Sequence, residues 1–266
     1  MPVRKDETGR RWVEMEILTP GTPEQVWEAL ATGPGYAAWF TRAEIDGKVG
    51  GAFQFDFGPG MSTAGEVTFW EPPRRFGYVE HGWAPGAPPC ATEVTITARS
   101  GDRCVVRMVH SLFASTDDWD DQLEGFESGW PGFFAVLRTY LAHFAGQKPA
   151  SFFAMAASEG DIISTWARLL DALGLAGANV GERRTAGGTP EALSGTIELI
   201  HQEAGKRGVL LRLDAPAPGI VLAGAFEKDG AVMASLCRYD YGEGAPARIA
   251  ECEPGWRQWL GGFGGG

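Results

Sequence analysis

The 266-residue sequence contains no apolar run of about 18 residues, so no membrane-spanning helix is expected. Its opening residues, MPVRKDETGRR, are polar and lack the apolar segment of a secretory signal. Basic residues are scarce, with 23 Lys and Arg against 34 Asp and Glu and a net charge of −11. They form no stripe, which argues against nucleic acid and against anionic membrane surfaces as partners. The four cysteines (Cys90, Cys104, Cys237, Cys252) show no C-x-x-C spacing, which argues against a zinc site or a disulfide framework. Isolated thiols without a leader fit a reducing cytoplasm. The sequence also lacks H-E-x-x-H, a G-x-G-x-x-G after a strand, and any Ser-His-Asp spacing. AGGTPEALSG at 186–195 lacks the Gly-Lys-Ser/Thr end of a phosphate loop. Asp117, Asp118, Asp120 and Asp121 could suggest a metal, but they read better as acids at the start of a helix. No metal and no cofactor are expected.

Aromatic residues and turn formers are abundant instead: 10 Trp, 15 Phe, 38 Gly and 17 Pro. Many turns mean many short elements. In residues 11–18, Val13, Met15 and Ile17 alternate with Glu14 and Glu16, which predicts an amphipathic strand. Thr22-Pro23-Glu24-Gln25 predicts a capping box opening a helix that stops at Gly33-Pro34-Gly35, with a second short helix, YAAWF, after it. Strands follow: Phe53, Phe55 and Phe57 share one face, then a Gly-Pro-Gly turn at 58–60, then runs at 65–71, 75–81, 93–99 and 104–110. Residues 118–144 read as one long helix interrupted at Gly129-Trp130-Pro131. Its apolar face carries Phe126, Trp130, Phe133, Phe134, Leu137, Tyr140, Leu141 and Phe144. Such a helix needs a sheet to lie on.

Past Pro149 the pattern restarts. It predicts a helix with Ile162, Trp166 and Leu169 on one stripe, a mobile loop at 176–192, and strands at 195–202, 207–213, 219–226 and 231–240. A helical segment at 246–260 closes it. PGWRQWLGGF there echoes SGWPGFFAVL at 128–137, a weak internal repeat.

Five motifs, in order, resemble the START-like helix-grip (SRPBCC) superfamily, and within it the branch named after the activator of heat-shock-protein-90 ATPase. They are TPEQVWEAL at 22–30 with Trp39-Phe40, GGAFQFDF at 50–57, GEVTFWEPPRRFGY at 65–78, His110, and GWPGFFAVLRTYL at 129–141. The resemblance implies an α+β helix-grip fold at 1–148, a curved antiparallel sheet around a long C-terminal helix. A second, reduced helix-grip-like unit is expected at 149–266.

Function is then expected between sheet and helix. The predicted lining is Trp39, Phe53, Phe55, Phe57, Phe76, Tyr78, Met108, Trp130, Phe133, Phe134, Leu137 and Tyr140, with Glu80 and His110 as polar members. Glu80 departs from the resemblance, which puts an aromatic there. Binding of a small hydrophobic molecule is the first reading. A polyketide cyclase or aromatase-like enzyme, with Glu80 or His110 moving protons, is the second. A co-chaperone-like interaction module is the third, resting on the resemblance alone. A homodimer is left open.

Overall fold

The computed structural model describes residues 3–264, except 59–61, 115, 188 and 229 and the side chains of 126–128. Pro59 and Gly60 of the expected turn, and the Phe126 side chain, lie outside the described residues. The chain divides into two compact units, residues 1–146 and 147–266.

The first unit opens with β1 (Arg4–Lys5) and β2 (Arg10–Pro20), then α1 (Pro23–Ala31) and α2 (Gly33–Ala37). Strands β3 (Arg42–Ile45), β4 (Ala52–Asp56), β5 (Ser62–Glu71), β6 (Arg75–His81), β7 (Cys90–Arg99) and β8 (Arg103–Phe113) lead to α3 (Asp120–His143). The eight strands form one antiparallel sheet in the order β1-β2-β8-β7-β6-β5-β4-β3. The first long strand therefore lies beside the last, and α3 crosses both β2 and β8. This is the helix-grip arrangement.

The start of α1 is set by its capping box. Thr22 Oγ1 accepts from Gln25 N at 3.4 Å, and Gln25 Oε1 accepts from Thr22 N at 3.0 Å. Gly33 and Pro34 do not simply end a helix. With Thr32 as N-cap they open α2, a position where proline has no donor to lose. Gly35 lets the two helices touch, since a Cβ there would sit 1.9 Å from Glu28 O. The expected interruption of the long helix is also absent: α3 runs unbroken through Pro131. Proline removes one helical hydrogen bond. Buried Leu123 before it and Trp130, Phe134 and Leu137 around and after it hold both halves of the helix against the sheet. Such large side chains contribute about 1.5–3 kcal/mol each when fully buried.

The second unit contains β9 (Pro149–Ser158), α4 (Ile162–Ala172), β10 (Arg183–Ala186), β11 (Leu193–Gln202), β12 (Lys206–Ala215), β13 (Gly219–Lys228), β14 (Ala231–Tyr241) and α5 (Ala245–Gly261). Its antiparallel sheet runs β10-β11-β12-β13-β14-β9. Again the first strand pairs with the last, one helix follows the first strand, and a closing helix packs on β9 and β14. It is a reduced copy of the first plan. Two of its six strands were not expected: β9, and β10 inside the stretch read as a mobile loop. Between sheet and helices lies an apolar core that includes Trp166, Leu169, Ile197, Leu236, Ile249 and Trp256.

Candidate functional site

The site residues of the first unit stand on the sheet face that packs under the helices. Cross-strand register sets a row across it: Val67 on β5, Tyr78 on β6, Thr92 on β7, His110 on β8 and Val13 on β2 are successive partners. Three polar side chains therefore adjoin one another in the middle of the sheet. A second row places Phe53, Gly65, Glu80 and Cys90 side by side. Gly65 is required there, because a Cβ would lie 1.8 Å from Val79 O. It leaves no side chain between Phe53 and Glu80.

Aromatic rings cover these rows. Phe53 stacks on Tyr78 with centroids 3.8 Å apart, and Tyr36 meets Phe55 edge-on at 5.0 Å. From α3, Trp130 stacks on the His110 imidazole at 5.5 Å and on Phe134 at 5.4 Å. Phe40 bridges the α2 region to α3, lying 4.9 Å from Trp130 and 4.8 Å from Phe133. Trp39 is fully buried and donates from Nε1 to Ala29 O at 2.9 Å. Phe57 is half-buried and packs on Phe40 and Phe55. Phe76 packs on Tyr78 at 5.4 Å and on Phe53 at 6.2 Å, and it extends the set to Trp27 and Trp70. Met108 and Leu137 are fully buried. Tyr140 stands farther along α3, where its hydroxyl accepts from Gly146 N at 3.4 Å.

Of the expected lining, then, Trp39, Phe53, Phe55, Phe57, Phe76, Tyr78, Trp130, Phe133 and Phe134 form one continuous set of rings. The second short helix is Gly33–Ala37 rather than YAAWF, and sequence reasoning missed Tyr36 on it and Phe40 beyond its end, and also Thr63, Cys90 and Thr92. The i, i+4 spacing of Tyr36 and Phe40 was the available signal for the first two. A cleft of about 660 Å³ in this unit lies elsewhere, beside α2, β3 and β4. It is lined by groups such as Arg42, Glu44, Gln54 and Asp56, and by none of the predicted aromatics.

Glu80 and His110 are separated by β7. His110 Nδ1 meets Thr92 Oγ1 at 2.8 Å, deep in the core. Burial lowers the imidazole to about 3, so it is neutral at physiological pH. Glu80 keeps part of its surface, yet desolvation of its carboxyl raises it to about 7, countered only by the nearby Thr63 hydroxyl. The Tyr36 hydroxyl is fully buried near the Tyr78 hydroxyl and the Glu80 carboxyl and forms no hydrogen bond of normal geometry, and Thr63 Oγ1 is likewise buried without one. Burial and the neighbouring Glu80 charge push both Tyr36 and Tyr78 up. Cys90 is raised to about 12 by burial first and by Glu80 second. Glu80 is thus the one group of this set poised to change charge near neutral pH. Among the described residues no cluster has the makings of a metal site. No helix among them is long and apolar enough to cross a membrane.

Residues 20–142 match the family model described as Activator of Hsp90 ATPase homolog 1-like protein. The match lies within the first unit and takes in most of it. No curated protein matches the chain significantly. Among solved structures, protein MLL2253 from Mesorhizobium loti is 25% identical, over 50% of this chain and 98% of its own, with a TM-score of 0.46. DynU16, from the dynemicin biosynthetic locus, is 14% identical over 95% of both chains, with a TM-score of 0.44. The Aha1 dimer from Colwellia psychrerythraea is 21% identical, over 49% of this chain and 95% of its own, with a TM-score of 0.41. The segment matched by the Activator of Hsp90 ATPase homolog 1-like model runs from the last residue of β2 to within α3, so it contains the aromatic set and both polar rows except Val13.

Proposed function

We propose that the first unit binds a small hydrophobic molecule carrying a polar group, on the sheet face closed by α3. The lining would be Trp39, Phe53, Phe55, Phe57, Tyr78, Trp130, Phe133 and Phe134, with Glu80 at the polar end. The observation that carries this reading is the buried polar set, Tyr36, Tyr78, Thr92 and His110 with Glu80, embedded in an aromatic wall. A core built for stability alone gains nothing from a desolvated carboxyl and an unsatisfied hydroxyl, which cost about 1–3 kcal/mol each. A ligand hydroxyl or carbonyl would satisfy them. The rings already touch one another, so a ligand is accommodated by ring rotation rather than by a ready void. Native mass spectrometry of the intact chain, with displacement of an apolar dye, tests this. A bound small molecule released by acetonitrile supports it, and a chain that takes up no apolar probe removes it.

One observation favours a second reading, an enzyme of the polyketide cyclase kind on the same face. A carboxyl near 7 suits a general acid or base at neutral pH, whereas an imidazole near 3 does not. On that reading Glu80 carries the proton and His110 orients Thr92. Glu80→Gln would then abolish turnover of a bound polyketide while leaving its affinity within a few-fold. Unchanged turnover removes Glu80 from the chemistry.

A further inference from the structure

The second unit has a cleft of about 410 Å³ whose polar floor is unlike the rest of its apolar core. Arg238 and Asp240 project from the same face of β14, and both are fully buried. Asp240 accepts from Arg238 Nε at 2.9 Å and from Arg248 Nε of α5 at 3.0 Å. One carboxylate thus fixes two guanidinium groups and leaves this frame with one surplus positive charge. The surplus is met by Glu191, which lies in the bend between β10 and β11 rather than on a strand or helix. Its Oε1 accepts from Arg238 Nη1 and, at 2.8 Å, from Trp256 Nε1. Pro190, Pro216 and Gly255 wall the cleft, and Glu251 stands at its exposed edge.

Two donors on rigid elements, one of them charged, converge on a single oxygen supplied by a loop. A buried guanidinium beside an indole N–H is a carboxylate seat, since charge-assisted donors of fixed geometry select planar anions. We propose that this cleft binds a small carboxylic acid with an apolar body, whose carboxylate takes the seat that Glu191 fills here. Glu191 then serves as a tethered internal competitor. The frame needs an anion in that place, because an uncompensated buried guanidinium is costly. The walls suit a compact apolar group, and 410 Å³ lies within the usual range of small-molecule sites. Glu251 disfavours a second negative charge on the ligand.

Full-length chain and its Glu191→Ala and Glu191→Gln variants would be titrated with phenylacetate and with phenylacetamide. The Trp256 indole proton is followed by NMR, after assignment with Trp256→Phe. Wild type should bind phenylacetate weakly, with a shift of that proton. Glu191→Ala should bind it at least tenfold more tightly, because the competitor is gone. Glu191→Gln should fall between them. The amide should bind none of the three. Recovery of the Glu191→Ala fold only in the presence of phenylacetate would equally support the seat. Equal binding of acid and amide would overturn the proposal. So would the absence of any Trp256 response in wild type at millimolar phenylacetate.

Discussion

Replacing Glu80 with Gln isolates the group on which the site's chemistry rests. The Glu80 carboxyl titrates at about 7 in the folded chain against a usual 4.5. Between these values the folded state holds a proton that the unfolded state has released, so stability falls as pH rises through that window and is lowest above 7. Below about 4.5 both states are protonated and the contribution vanishes. At ~1.4 kcal/mol per pH unit the full interval amounts to on the order of 3 kcal/mol, and the partly accessible surface of Glu80 makes that an upper bound. Gln has similar shape and no charge. Glu80→Gln should therefore match wild type near pH 4.5 and become more stable by roughly 2–3 kcal/mol at pH 8. Urea unfolding at several pH values, followed by near-ultraviolet circular dichroism, measures the difference. Subtracting the variant from wild type cancels every other titrating group. Parallel pH profiles for the two proteins would refute the desolvated carboxyl and with it the polar end of the proposed site.

His110 works in the opposite sense. Its imidazole is lowered from 6.5 to about 3 by burial, so the unfolded chain takes up a proton that the folded chain refuses, and stability falls as pH drops below about 6.5. His110→Gln should flatten that acid limb, whose slope is at most ~1.4 kcal/mol per pH unit, in the same urea experiment. Gly65→Ala would place a methyl against the Val79 carbonyl and should destabilise the first unit by about 1–3 kcal/mol, seen as a lower urea midpoint. Thr22→Ala removes one arm of the α1 capping box and should cost about 1 kcal/mol, with faster amide exchange confined to residues 23–26.

The helix-grip plan was legible where local signals are strong. The T-x-x-Q box announced α1, and the alternation of Phe53 and Phe55, or of Phe76 and Tyr78, announced buried faces of strands. Short edge strands were not legible, because β1, β3 and β10 carry two to four residues, too few for any period to show. β9 carries little strand signal because PASFFAMAAS is rich in alanine, a residue with little preference for strands. The unbroken α3 defied its proline because packing on both sides of Pro131 outweighs one lost hydrogen bond. At the site, parity found the aromatic residues of the strands, but Thr92 and Cys90 become meaningful only through cross-strand register. The charged floor of the second unit was hidden for a similar reason. Glu191 and Arg238 are 47 positions apart, and nothing local to either announces the pairing.

On the proposed function, the aromatic face under α3 receives a hydrophobic ligand with its polar group toward Glu80. The direct measurement is an indole NMR titration of the full chain with 2-naphthol and with naphthalene, reading Trp39 and Trp130. Saturable shifts of both indoles are expected at one 2-naphthol per chain. Naphthalene should bind more weakly, and Glu80→Gln should lose that preference. Indoles of Trp39 and Trp130 that stay unmoved up to the solubility limit of both compounds would contradict the proposed function.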